Sequence, residues 1–180
     1  MAVNSRIFLC LIPAFILAGC SHLSDLNGPG TSHAPSADVL SPKSGAPFLT
    51  LDAKGYQYFR CTVDARGGYW KFERPEAKLT NSAGETVAEL SGPMQAFDHS
   101  DGSRIISSHI TAWVNPANPA VDNKLALLQA VSDDREGVFK GVRYIQRLDT
   151  VGGMPQGSCT QPDNGKLQKV PFSAKFVFWK

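Results

Sequence analysis

From Phe48 onward, apolar residues recur at alternate positions in short runs, and Gly, Pro, Asn and Asp interrupt the runs. A period of two puts the apolar side chains on one face of a strand. The last run is the clearest: Val170, Phe172, Ala174, Phe176 and Phe178 share one face, and Pro171, Ser173, Lys175, Val177 and Trp179 share the other. Tyr56 to Val63 aligns Phe59, Cys61 and Val63, and Tyr69 to Glu73 brings Trp70 and Phe72 together. Turn chemistry at Asn81 to Gly84, Asp98 to Gly102 and Asp133 to Gly137 precedes three further predicted strands, Glu85 to Leu90, Arg104 to Val114 and Val138 to Leu148. Lys124 to Val131 reads as a strand, with a short helix as the alternative. No long helical stripe and no internal repeat occur. The pattern predicts an all-β domain over residues 48–180, either an antiparallel β-sandwich of jelly-roll type or a partly closed barrel.

The first 47 residues follow a different pattern. Arg6 precedes an apolar stretch from Ile7 to Leu17, 11 residues long and followed by Ala18-Gly19-Cys20. A transmembrane helix needs roughly 20 apolar residues, so residues 1–19 read as a signal peptide. Leu17-Ala18-Gly19-Cys20 resembles the lipobox of bacterial lipoproteins, which implies cleavage before Cys20 and a lipid anchor on its thiol. Ser21 after it, where that family's sorting rule would need Asp for retention, implies the outer membrane, facing the periplasm. Residues 20–47 are rich in Ser, Gly, Pro and Ala and read as a flexible tether. His22 and His33 lie there, where a floppy chain does not preorganise metal ligands.

Charge narrows the partners. Lys and Arg number 18 against 16 Asp and Glu, a net charge of +2 with no basic run, which argues against nucleic acid as a partner. Of four cysteines, Cys10 leaves with the signal peptide and Cys20 takes the lipid. Cys61 and Cys159 remain, and in an oxidising compartment they predict a disulfide tying the first strand to the loop before the last. Nucleotide-binding and zinc-protease signatures are absent, and only His99 and His109 fall in the domain, so neither a cofactor nor a metal is implied.

Several stretches resemble the bacterial and fungal family known as domain of unknown function 3455. They are Gly55-Tyr56-Gln57-Tyr58 with Cys61, the Trp70 strand, Pro75-Glu76-Ala77 with Leu79, Gly92-Pro93, Asp101-Gly102-Ser103, and Ile145 to Gly153 followed by Pro155 and Cys159. The resemblance implies a fold but no activity. This chain departs from the family's pattern at Met94-Gln95, where a Trp and an acidic residue are usual, and near Leu125, where a Trp is usual.

The candidate site residues are His99, Asp101, Ser103, Gln146, Arg147 and Thr150. His99, Asp101 and Ser103 combine imidazole, carboxylate and hydroxyl within five residues, which suits acid/base work or a hairpin turn. On a strand, Gln146 and Arg147 point to opposite faces, so only one enters a cavity. Arg147 suits an anion clamp or a structural ion pair. If the Asp98 to Ser103 turn and the Thr150 to Pro155 loop share one end of the domain, Arg147 pairs with Asp101. Trp113, Tyr144 and Trp179 read as packing aromatics in preference to a glycan platform. The leading expectation is a non-catalytic envelope module, binding or structural, for a glycan or protein; the alternative is a hydrolase using carboxylates or the His99/Asp101 pair. The oligomeric state is not legible in the sequence.

Overall fold

The computed structural model describes residues 40–133 and 135–180. The signal peptide, Cys20, His22, His33 and the tether as far as residue 39 lie outside them. Eight strands follow in chain order: β1 (Pro47–Asp64), β2 (Gly67–Thr80), β3 (Thr86–Ser91), β4 (Ala96–His99), β5 (Arg104–Trp113), β6 (Leu125–Ser132), β7 (Tyr144–Gly152) and β8 (Leu167–Trp179). Each pairs antiparallel with its sequence neighbour, and β8 pairs with β1, so the sheet closes into an up-and-down barrel without free edges. The fold is all-β as the alternation requires, and of the two architectures allowed by the sequence it is the barrel, fully closed.

The strand alternation sets the interior. Leu51 on β1 faces Phe176 on β8, which faces Arg147 on β7, which faces Ala126 on β6, and residues directly opposite one another share a face. Leu51, Ala126 and Phe176 are buried in the core, so Arg147 points inward and its neighbour Gln146 outward. Around Phe97, Phe176 and Phe178 the rings meet edge to face with centroids 5.1 and 5.5 Å apart, and Phe139 stacks on Phe178 at 5.0 Å. Burying each such ring stabilises the fold by roughly 2 to 3 kcal/mol before entropy is counted.

Three sequence expectations need correction. The strand expected from Val138 begins at Tyr144, because residues 138–141 form a turn that inserts Phe139 into the barrel end, fully buried. The four-residue strand β4 went unseen: it is too short to show alternation and overlaps the turn expected at Asp98. The domain also starts earlier than residue 48. Leu40 is 3% exposed, its carbonyl accepts a hydrogen bond from Gln146 Nε2 at 2.8 Å, and Ala46 and Lys180 exchange backbone hydrogen bonds. Residues 40–46, expected as tether, therefore pack on the barrel. Lys124 to Val131 is largely strand β6, not helix.

Connection order decides which loops can meet. In a meander, successive connections alternate between the two ends, so those after β1, β3, β5 and β7 share one end and those after β2, β4 and β6 the other. The Asp98 to Ser103 turn follows β4 and the Thr150 to Pro155 loop ends β7, so they lie at opposite ends and not at one, as the sandwich reading supposed.

Candidate functional site

The end with the β4–β5 turn is closed by internal hydrogen bonds. Asp101 Oδ1 accepts from the Ser103 amide at 2.9 Å and the Ser103 hydroxyl at 2.6 Å, and Oδ2 accepts from the Val138 amide at 2.7 Å. The Ser103 hydroxyl accepts in turn from the Phe139 amide at 3.1 Å. These donors, the Ser103 hydroxyl first, hold the Asp101 carboxyl well below the usual carboxylate range, despite opposing burial. His99 Nδ1 lies 3.0 Å from Asp101 Oδ1, and its ring packs edge-on against Phe139. His99, Asp101 and Ser103 thus fasten the 138–141 turn over the core. The polar atoms of Asp101 and Ser103 are engaged in that fastening, which matches the hairpin-turn reading of this stretch.

Gln146 and Thr150 are also fasteners. Gln146 faces out, donating to the Leu40 carbonyl and accepting from Trp179 Nε1 at 2.8 Å. Thr150, fully buried, accepts from Asn115 Nδ2 and donates to the Asn123 carbonyl. The Asn123 amide donates to the Gly152 carbonyl, and the Gly152 amide to Asp122 Oδ1, both at 2.7 Å. Together these bonds lock the β5–β6 loop onto β7. Gly153, at φ +96°, is required there: a Cβ would lie 3.1 Å from Asn123 Cβ in a backbone conformation that L side chains rarely adopt.

The opposite end is open, and a cavity of about 240 Å³ lies in it. Arg147 forms its floor. The residue is 6% exposed, yet among the described residues no carboxylate pairs with its guanidinium. Nε donates to the Lys124 carbonyl at 2.9 Å, and Nη2 lies 3.4 Å from His109 Nε2. Burial lowers the Arg147 pKa to about 10. Beside it, Asn123, also 6% exposed, spends Oδ1 on the Lys124 amide and leaves Nδ2 buried with no acceptor. The other buried unpaired side-chain atom among the described residues, Gln168 Oε1, does not line the cavity.

Apolar walls come from Phe59, Phe72, Ala112 and Met154, and Phe59 meets Phe72 edge-on at 5.6 Å. A bulge between His109 and Thr111 puts both His109 and Ala112 opposite inward-facing β6 residues, Leu128 and Ala126. Such bulges re-aim side chains beside sites. His109 sits at the exposed rim, where partial desolvation and then the Arg147 and Lys124 cations lower its pKa. Gln95 lines the cavity from the β3–β4 turn at a left-handed φ of 47°. That conformation costs a non-glycine residue roughly 1 to 2 kcal/mol.

The disulfide ties the β7–β8 loop, which carries Met154, to β1. Cys61 on β1 is bonded to Cys159, 98 residues away in the β7–β8 loop, as the sequence implied. The same loop is tied by Trp70 Nε1 to the Gly157 carbonyl at 3.0 Å and by the Met154 amide to the Val121 carbonyl at 3.0 Å. Larger surface depressions of about 530 and 540 Å³ exist on the outer sheet. In the first, Lys175 is already neutralised by Asp149 at 2.7 Å. Neither contains a buried unpaired polar atom. Trp113 stands exposed on the outer surface at the end of β5.

A family model described as Protein of unknown function (DUF3455) matches residues 42–180. The chain belongs to that family. No curated protein and no solved structure matches it significantly. The DUF3455 match covers all eight strands of the barrel. Of the six candidate residues of this DUF3455 domain, the barrel mouth holds Arg147 alone; His99, Asp101 and Ser103 sit at the far end, and Gln146 and Thr150 brace loops. Arg147 does not meet Asp101. Of its neighbours, Gln57 and Gln95 entered the sequence reading only within stretches that resemble the family or depart from it, and Asn123 not at all, because an amide in a loop carries no distinguishing pattern until its unpaired atom reveals it.

Proposed function

We propose that this DUF3455 protein is a lipid-anchored binding module of the cell envelope, non-catalytic, carrying its ligand at the open mouth of the barrel. The observation that carries the reading is the pairing of a buried guanidinium lacking an acidic partner with a buried amide N–H lacking an acceptor. Buried donors normally have partners, and an unpaired buried charge costs several kcal/mol, so the site is complementary to something it does not itself supply. Binding is favoured over hydrolysis because the cavity lining presents no hydroxyl, no thiol and no carboxylate pair. The Leu17 to Cys20 motif and the disulfide support an anchored protein in an oxidising compartment, with the outer membrane facing the periplasm as its address and an envelope glycan or protein as its partner.

The test has two parts. Mass spectrometry of the native protein should find acyl chains on Cys20, lost in Cys20→Ser; an unmodified Cys20 overturns the anchor. Soluble domain 40–180 titrated with solubilised envelope glycan and with envelope protein extract should bind one of them, and the binding should disappear in Arg147→Met. Binding that survives this substitution removes the mouth from the reading.

A further inference from the structure

The chemistry of the mouth narrows what it holds. Resting on the binding reading above, we infer that the barrel mouth is a carboxylate site: a carboxylate seats end-on against Nη1 and Nη2 of Arg147, with Asn123 Nδ2 as an additional donor and a short apolar body against Phe59 and Phe72.

Four observations converge on this. The guanidinium has five N–H donors in a plane; Nε is spent on the Lys124 carbonyl and one Nη2 N–H can face His109 Nε2, which fixes the plane and leaves one N–H on each of Nη1 and Nη2 for a two-oxygen acceptor. Asn123, which lines the same cavity, adds a neutral donor through its unpaired Nδ2, so the lining offers donors and no fixed negative charge. Lys124 at the rim adds a second cation to the approach. At about 240 Å³, the cavity is below the roughly 300 to 1,000 Å³ of pockets that enclose drug-sized ligands, which fits a small carboxylate or the carboxylate end of a longer chain.

A planar carboxylate suits this floor better than a phosphate. A phosphate brings up to two charges and a tetrahedron of oxygens, whereas the Nη edge presents its donors in one plane, and the Phe59 and Phe72 walls offer none to the oxygens turned toward them. The His109 ring is compatible with either state of the site. Neutral, with its proton on Nδ1, it accepts from Arg147 Nη2; with a carboxylate seated, a protonated ring can donate to it.

The experiment uses the full-length protein in detergent micelles with ¹⁵N-labelled arginine and asparagine side chains, titrated with 3-phenylpropanoate, its neutral amide, and phenyl phosphate. The expected result is saturable shifts of the Arg147 Nε–H and Asn123 Nδ2 signals with the carboxylate, at least tenfold weaker response to the amide, and loss of the response in Gln95→Glu, which places a competing carboxylate in the same cavity. Arg147→Lys, which keeps the charge and removes the fork, should weaken binding about tenfold or more. Gln95→Glu and Arg147→Lys are checked for folding by their thermal transitions. Glucuronate and N-acetylalanine then separate a sugar-borne from a peptide-borne carboxylate, and saturable binding of either supports the site. Phenyl phosphate binding without the carboxylate overturns the ligand class and leaves the binding reading standing. Equal response to acid and amide does the same. An envelope fragment that binds at the mouth while no carboxylate does overturns the inference alone, whereas silence of the mouth toward every probe and every envelope fraction overturns both.

Discussion

Replacing Arg147 by methionine should make the unliganded domain more stable. At pH 7 the guanidinium is protonated in both the folded and the unfolded chain, and burial lowers its pKa from the ordinary arginine range to about 10 in the folded one. At about 1.4 kcal/mol per tenfold, the folded state bears a penalty of about 3 kcal/mol for holding that charge. The sign follows from the lowered value: the penalty is fully present below pH 10 and is relieved only as pH rises past it. Methionine has nearly the same length, fills the floor with apolar atoms and removes the charge. Against this stands the lost bond from Nε to the Lys124 carbonyl, worth about 1 to 2 kcal/mol. The net gain is about 1 kcal/mol, or about 3 °C in Tm for a domain of this size. Urea unfolding at pH 7, followed by tryptophan fluorescence and circular dichroism on wild type and Arg147→Met, reads it directly. A structural pin would behave in the opposite way, because removing one partner of a buried ion pair costs roughly 3 to 5 kcal/mol. A loss of 2 kcal/mol or more in Arg147→Met would therefore refute the account of Arg147 as an unpaired binding group.

Reduction of Cys61–Cys159, or a Cys61→Ser/Cys159→Ser double variant, should lower stability by up to about 4.7 kcal/mol in the chain-entropy model for a loop of 98 residues, and calorimetry showing no change would contradict it. Asp101→Asn should cost about 2 to 3 kcal/mol by leaving one of the Ser103 and Val138 donors without an acceptor, and should unseat Phe139, seen as faster amide exchange at residues 138–142. Since the Asp101 carboxyl is held below its ordinary value, its contribution is present above about pH 4 and is lost as pH falls further; Asp101→Asn should show a shallower acid transition. The His109 pKa is lowered too, so the unfolded chain takes up the proton first and stability falls as pH drops below about 6.5; His109→Gln should flatten that slope between pH 7 and 5.

The all-β class and the strand faces were legible because alternation in β8 and β1 is a local property, written at every second residue. The disulfide was legible because elimination left two cysteines. The ring closure was not: pairing of β1 with β8 joins segments more than a hundred residues apart, and no period in the sequence encodes which strands become neighbours. That one unknown carried the error about the site, since the sandwich reading let the Asp98 to Ser103 and Thr150 to Pro155 loops share an end, whereas the meander places them apart. Strand parity alone put Gln146 and Arg147 on opposite faces, and the pairing of Arg147 with Phe176 and Ala126 identifies it as the inward one. Asn123 was not, because its significance lies in a missing partner, and absence of a bond appears only once every neighbour has a position.

The two ends of the barrel differ in how they treat polar groups. At the β4–β5 end, the Asp101 carboxylate and the Ser103 hydroxyl bond amides that would otherwise be orphaned by the 138–141 turn, and substitution there loses stability. At the mouth, Arg147 is buried without a counterion, Asn123 Nδ2 is buried without an acceptor, and Gln95 adopts a left-handed backbone beside them. Each of these three features lowers the stability of the empty domain, and an apolar residue or a glycine would remove the cost. Features that oppose folding and cluster around one cavity are the signature of a site shaped for something other than folding. The rigidity around them points the same way. Asn115, Asp122, Thr150 and the disulfide hold the loops that carry Asn123 and Met154, so the donors are fixed in place before any ligand arrives and little further ordering is needed on binding. Preorganised, unsatisfied and open to solvent, the mouth gains from a carboxylate the interactions that the chain itself leaves unmade.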